Sequence, residues 1–221
     1  FHELLEDMLR FRRSSSEQAQ WLNAHWPTTL ASDHQSLMLS WADAVLQHRI
    51  GSGCLAELAA IDCRPEPGFR LTLKASLSID RMRHGLQQIA WMHALDFGPN
   101  RPLATQLNGF IDLVFYRDGQ YHLLDYKTNR LGDQDAAYTE TAVELSMREG
   151  QYTAQAAIYG LALHHWLSLR LPQYDPRQHL GEIHYLFCRG LNGPSRGLWS
   201  RPIPVDQIEH LSEEWIDAGS R

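Results

Sequence analysis

Apolar positions along the chain change period several times, and those changes divide it into elements. Phe1, Leu4, Leu5, Met8 and Leu9 recur at helical spacing with acids between them, which predicts an amphipathic helix over residues 1–11. Residues 14–17 read as a loop ending in an N-cap, and 17–26 and 33–48 as helices. Residues 51–61, with Leu55, Leu58 and Ala59, read as a further helix stopped by Pro65, Pro67 and Gly68. Strict alternation over 69–79 is a strand period, whereas the apolar run 86–95 has no period that separates strand from helix. Downstream, 129–138 is a polar loop, 136–149 and 152–169 are helical, 183–189 alternates as a strand, and 190–197 is rich in turn formers. The tail from Val205 predicts a short closing helix. Trp21, Trp26 and Trp41 stand among Leu and Ala at helical spacing, as core residues do.

The most informative pattern lies between Gly109 and Thr128. Two runs rich in β-branched and aromatic residues flank Asp118-Gly119, a dipeptide suited to the two positive-φ positions of a type I′ turn. With those two residues as the loop, Arg117 pairs with Gln120, and counting outward sets Asp112 opposite Asp125. Asp112 then shares a face with Phe110 and Val114, and Asp125 with Leu123 and Lys127. Opposed residues in an antiparallel pair have Cβ atoms roughly 5 Å apart, so two carboxylates there repel. Solvent, a shared proton or a divalent cation could hold them. The flanking runs are too apolar for a wet edge, and Mg²⁺ is commonly bound through one or two carboxylates together with substrate phosphate oxygens. Lys127 adds a charge able to reach a phosphate or an attacking water.

Gly-Phe-Ile-Asp-Leu-Val-Phe followed by Leu-Leu-Asp-Tyr-Lys-Thr-Asn resembles the RecB family of nuclease domains within the Asp-(Asp/Glu)-x-Lys nuclease superfamily, with matching features from His2 to about Arg189. The resemblance implies an α/β, restriction-endonuclease-like core in which a central mixed β-sheet carries the catalytic β-hairpin and is flanked by α-helices. It implies an exodeoxyribonuclease of the exonuclease V type, using Asp112, Asp125 and Lys127 and leaving 5′-phosphate and 3′-hydroxyl ends. His2, in a His-x-x-Leu-Glu pattern, is by the same resemblance a metal ligand beside Asp112, Asp125 and the backbone carbonyl of Tyr126. Taken alone, a histidine at that place is more often a surface or capping residue. Gln155 and Tyr159 match the family's Gln-x-x-x-Tyr motif, which positions DNA or the lysine. Mg²⁺ is the implied cofactor, Mn²⁺ suits the histidine as well, and Ca²⁺ should bind without supporting turnover. The implied partners are single- and double-stranded DNA, RecC- and RecD-like subunits, and a helicase portion of the same chain, acting in double-strand-break repair and recombination. The resemblance also makes 69–79 a less regular connection and 86–95 the strand before the hairpin. Where family members often carry a glutamate on that strand, Gln88 and Ala90 stand here, which speaks against a second tightly bound metal.

Composition limits these expectations rather than replacing them. A chain of 221 residues with 43% hydrophobic residues suits one nuclease domain, and a start at Phe1 rather than Met suggests an excised C-terminal piece of a helicase–nuclease subunit. No apolar run nears the roughly 20 residues that cross a bilayer, so a soluble, cytoplasmic protein without membrane contact is expected. The net charge of −6 argues against a global basic field, although a nuclease tethered to a helicase receives DNA at high effective concentration. Cys54, Cys63 and Cys188 are scattered, which fits reduced thiols and excludes the iron–sulfur cluster of some RecB-like nucleases. Zinc chemistry fails on spacing, because His164 and His165 are neighbours rather than one helical turn apart, and they read as solvated. A catalytically silent scaffold for partner docking is the alternative, and it predicts loss of an acid or the lysine, none of which is lost.

Overall fold

The computed structural model describes residues 1–25, 33–94 and 105–217. A five-stranded mixed sheet runs in the order β3–β6–β7–β8–β9. Its strands are β3 (Cys63–Pro65), β6 (Leu113–Arg117), β7 (Gln120–Lys127), β8 (Leu180–Phe187) and β9 (Leu198–Pro202). Strands β7 and β8 are parallel and the other neighbours antiparallel. This is the α/β, restriction-endonuclease-like arrangement expected.

Alternation along the central strands sends side chains into two cores. Leu113, Phe115, Leu124, Tyr126 and Leu186 pack under α1 (His2–Phe11), α2 (Ser15–His25) and α3 (Asp33–Gln47), whereas Val114, Leu123, Ile183, Tyr185 and Phe187 pack under α5 (Glu140–Glu149), α6 (Tyr152–Arg170) and α8 (Val205–Trp215). The sheet is therefore covered on both faces, which is what a parallel pair at its centre requires. Helices α5 and α6 and the short α7 (Pro176–His179) supply the crossover from β7 to β8. Among the described residues no helix is long and apolar enough to cross a membrane.

The hairpin forms as read: Arg117 pairs with Gln120 and Leu113 with Leu124, and Asp118 and Gly119 take φ of 52° and 84°. Several boundaries differ. Helix α2 begins at Ser15, because Ser14 is its N-cap: the Ser14 hydroxyl and N–H both donate to the Glu17 carboxylate. Residues 51–61 are not a helix. They hold β2 (Gly53–Cys54), which pairs with β1 (Arg49–Ile50) just before them, and two 3-10 turns, with Gly51 at φ 63° reversing the chain. The alternation from Phe69 does make a strand, β4 (Gly68–Thr72), but by residue 79 the chain is helical.

Residues 86–94 are not a strand either. Helix α4 (Ile79–Gln87) occupies the start of that run, capped by the Ser78 hydroxyl accepting from the Arg81 N–H, and Leu95 lies outside the described residues. The strand before the hairpin is β5 (Gln106–Phe110), paired with β4, so the inference drawn from Gln88 and Ala90 loses its basis. Helix α5 starts at Glu140 after a 3-10 turn, and β8 spans Leu180–Phe187 rather than 183–189. Trp21 and Trp41 are partly buried against the first core as expected, while Trp26 lies outside the described residues. His164 is not solvated: its ring is half-buried and Nδ1 meets the Tyr174 hydroxyl at 3.1 Å.

Candidate active site

At the C-terminal end of β7 the two layers of helices bring their ends together around the hairpin acids. Asp112 stands one residue before β6, where the strand bends out of the ladder. Instead of facing Asp125 across paired strands, its Oδ2 accepts the Tyr126 N–H at 2.8 Å. That bond turns the Tyr126 carbonyl toward α1. His2 Nε2 lies 2.9 Å from this carbonyl oxygen and 3.5 Å from Asp112 Oδ2. With only acceptors around it, Nε2 must carry a proton in the metal-free protein. Both distances from Nε2 are near the roughly 3 Å spacing expected of neighbouring ligands around a small cation with bonds of about 2.1 Å.

Asp125 and Lys127 point to the other side of β7. Asp125 is 4% exposed, and its Oδ1 lies 2.5 Å from Lys127 Nζ yet has no well-directed hydrogen-bond donor. Burial, then the charge of Asp112, pushes its carboxyl up to about 6, against the pull of Lys127 and His2. A buried carboxylate oxygen short of a donor, next to a second acid and a histidine, is a donor set that a hard divalent cation fits.

Lys127 is held by α6 and β8. Its ammonium donates to Gln155 Oε1 at 3.2 Å and lies 4.1 Å from the Tyr152 ring centre and 5.1 Å from that of Tyr185. Gln155 Oε1 also accepts from the Tyr185 hydroxyl at 3.0 Å, while its Nε2 donates to the Tyr159 hydroxyl at 2.8 Å. These partners fix which end of the amide faces the lysine. The Gln155–Tyr159 pair thus contacts the lysine seat directly.

Tyr152, Tyr185 and Glu66 escaped the sequence reading as members of this site. Tyr152 shares the α6 face of Gln155, and Tyr185 shares a β8 face with Ile183 and Phe187, so periodicity placed both without showing what they touch. Glu66 lies between Pro65 and Pro67, at φ 46°, where the β3–β4 stretch kinks opposite Asp112; its N–H donates to the Asp112 carbonyl at 3.0 Å. Its carboxyl is pushed upward by burial first and then by Glu6 and Asp112, so it feels the same acidic group.

A different set, His122, Glu182 and His184, has ligand atoms within 4.8 Å of one another. It lies toward the opposite ends of β7 and β8, and its rings are already engaged. His122 Nδ1 accepts the Glu182 N–H at 3.1 Å, and His184 Nδ1 meets the Ser200 hydroxyl at 2.8 Å. Burial lowers both histidines, His184 to about 3, and their rings stack with Phe115 as neutral groups.

An Asp-x-Lys strand end, an upstream aspartate and a sheet covered on both faces define a nuclease architecture, and the chain belongs to the PD-(D/E)XK nuclease superfamily, which it matches over residues 1–214. Within that class it is similar to the RecBCD enzyme subunit RecB. Identity is 34% to the Escherichia coli K12 protein over 177 residues, which is 76% of this chain and 15% of that protein. It is 34% to the Haemophilus influenzae protein over 186 residues, 83% of this chain and 15% of that protein. The Mycobacterium tuberculosis H37Rv protein is 42% identical over 95 residues, 42% of this chain and 9% of its own length. The chain therefore corresponds to about one-seventh of the length of the first two relatives.

Proposed function

We propose that this domain is a divalent-metal-dependent exodeoxyribonuclease, the nuclease part of a RecBCD-type helicase–nuclease that processes DNA ends in the cytoplasm during double-strand-break repair and recombination. The observation that carries this is the strand end itself, where Lys127 is seated beside Asp125 while His2 Nε2, Asp112 Oδ2 and the Tyr126 carbonyl converge. RecC- and RecD-like subunits and a helicase segment of the same polypeptide are the partners that the RecB likeness suggests.

Asp112, Asp125, the Tyr126 carbonyl and His2 would hold Mg²⁺, with Mn²⁺ an alternative that the imidazole favours and Ca²⁺ an inert occupant. When bound, such an ion polarises a phosphoryl oxygen and lowers the pKa of coordinated water. The other roles belong to the chain. Asp112 fixes the carbonyl by accepting from Tyr126 N–H. His2 would hold the ion through Nε2, with its ring proton carried on Nδ1. Asp125 acts ionised, a form that burial opposes and that Lys127 favours. Lys127 has no acceptor lone pair as an ammonium, so it orients the attacking water or offsets charge building on the phosphate. Gln155 and the Tyr152 and Tyr185 rings hold the ammonium in place, which preserves that geometry. Products would carry 5′-phosphate and 3′-hydroxyl ends.

The test is cleavage of linear single- and double-stranded DNA with Mg²⁺ by the wild type and by Asp125→Ala. Cleavage by the wild type and its loss in the variant support the assignment. Equal activity in both proteins refutes it, and a wild type inert with every metal favours a silent scaffold.

A further inference from the structure

On the α5 side of the sheet edge, away from the hairpin acids, lies a cleft of about 920 Å³ walled by α5, strand β9 and the loop before it, with Arg49 of β1 at its far side. Four arginines line it, Arg49, Arg148, Arg196 and Arg201, against two acids, Glu140 and Glu144. In a chain of net charge −6 this is a local inversion of sign. Arg201 and Glu144 pair with each other, which leaves Arg49, Arg148 and Arg196 against Glu140 alone. Glu144 is committed within the fold, accepting from the Trp199 indole N–H at 3.0 Å and from Arg201 at 3.0 Å, with His93 at 3.0 Å from its other oxygen. Arg148 and Arg196 are exposed and form no ion pair among the described residues, and Arg49 spends its visible hydrogen bond on the Ser52 carbonyl. The charge on Arg196 is felt by its neighbour His48, whose ring is lowered by burial and then by this guanidinium.

The wall carrying Arg196 is joined to the candidate active site. Arg189, at the start of the β8–β9 connection, donates through Nε to the Thr128 carbonyl, directly after Lys127. Ser195 donates its N–H at 3.0 Å to the carbonyl of Tyr138, whose hydroxyl bonds the Asn129 carbonyl at 3.2 Å. One loop thus braces the segment leaving the catalytic strand and presents Arg196 to the cleft.

We infer that this cleft is a second contact for the substrate strand, binding the phosphodiester backbone of DNA away from the scissile phosphate through Arg148 and Arg196, with Arg49 beside them. Guanidinium groups suit phosphates through forked, charge-assisted hydrogen bonds, and a groove with an excess of basic groups is the electrostatic footprint of a nucleic-acid path. The inference rests on DNA being the substrate. The cleft supplies holding without chemistry, so it acts on affinity and on retention of long strands.

The experiment measures binding of a fluorescein-labelled 20-nucleotide oligodeoxythymidylate in EDTA at several salt concentrations, for the wild type and for Arg148→Glu/Arg196→Glu. The double variant should bind at least ten-fold more weakly. Its slope of log affinity against log salt should flatten by about 1.4, for two phosphates at about 0.7 each on a single strand. Its melting temperature should be unchanged, and Arg148→Gln/Arg196→Gln should fall between the two. Cleavage of a short oligonucleotide at saturation should stay at the wild-type rate, while KM for long DNA rises. Equal affinity and slope in variant and wild type overturn the inference. So do a wild type that does not bind the oligonucleotide, and a cleft that binds poly-L-glutamate more tightly than DNA, which would mark it as a dock for an acidic protein. A wild type that binds in this Arg148/Arg196-dependent way but never cleaves leaves the cleft standing and refutes the nuclease assignment instead.

Discussion

Replacing Asp125 with asparagine should stabilise the metal-free protein at alkaline pH and do almost nothing in acid. In the fold the carboxyl is pushed up from 3.8 to about 6 by burial and then by the nearby charge of Asp112. A folded-state pKa above the unfolded one means that the native protein binds the proton more tightly. Stability is therefore greatest when the group is protonated and falls as pH rises through about 6. By pH 8 the whole shift is expressed, about two units at roughly 1.4 kcal/mol each, or about 3 kcal/mol. At pH 4 the same arithmetic leaves less than ~1 kcal/mol. Asparagine has the same shape and no charge, so the difference between variant and wild type isolates this cost. For a domain of this size about 3 kcal/mol corresponds to a rise in Tm of roughly 6–12 °C. Melting curves followed by circular dichroism in EDTA at pH 8 and pH 4 provide the measurement. A variant no more stable than the wild type at pH 8, or a gain equal at both pH values, would refute the picture of two acids held together against their repulsion.

Three further outcomes follow from the same geometry. Mg²⁺, Mn²⁺ or Ca²⁺ at millimolar concentration should raise the wild-type Tm, more at pH 8 than at pH 5.5 because Asp125, pushed up to about 6, must lose its proton; Asp112→Ala should remove the effect in a thermal-shift assay. Lys127→Ala should bind Ca²⁺ at least as tightly as the wild type by calorimetry yet lose most of its single-turnover cleavage with Mg²⁺, and Lys127→Arg should recover little because the seat formed by Gln155, Tyr152 and Tyr185 fits a compact ammonium. His184, 2% exposed and lowered to about 3 mainly by burial, is neutral in the fold, so its contribution is complete above about 6.5 and is lost as pH falls from there toward 3. Urea denaturation should show the stability gap between the wild type and His184→Gln shrinking by about 2 kcal/mol between pH 7 and pH 5.

The sequence revealed most where one short-range signal dominated. Asp118-Gly119 set the turn, the turn set the register, and the register brought Asp112 to the neighbourhood of Asp125 and put Lys127 on the Asp125 face. What it missed was the bend at Asp112, since a backbone N–H competing for that carboxylate leaves no trace in periodicity. The seat of Lys127 was visible only as the Gln155 and Tyr159 spacing, because Tyr185 reaches it from a strand 58 residues downstream of Lys127. The run 86–95 has no period of its own, and the family resemblance made it a strand, although Ser78 before Ile79 was a usable helix-start signal. Residues 51–61 show the opposite error: Leu55 and Leu58, three apart, serve a 3-10 turn as well as a helix, and Gly51 and Gly53 argued for the turn. Glu66 sat unread inside a cluster that registered only as a chain breaker.

The contact between His2 and the Tyr126 carbonyl spans 124 residues of sequence, and Lys127 reaches its amide partner only across a further 28. Contacts so distant along the chain are among the slowest to form, since each must close a long loop before it is rewarded. A ribosome that has released the hairpin has already exposed both aspartates and the lysine, but not α6 or β8. The lysine then has no seat and the sheet lacks the strand that flanks it. Assembly order thus acts as a safety catch, because the chemistry becomes available only when the molecule around it is complete.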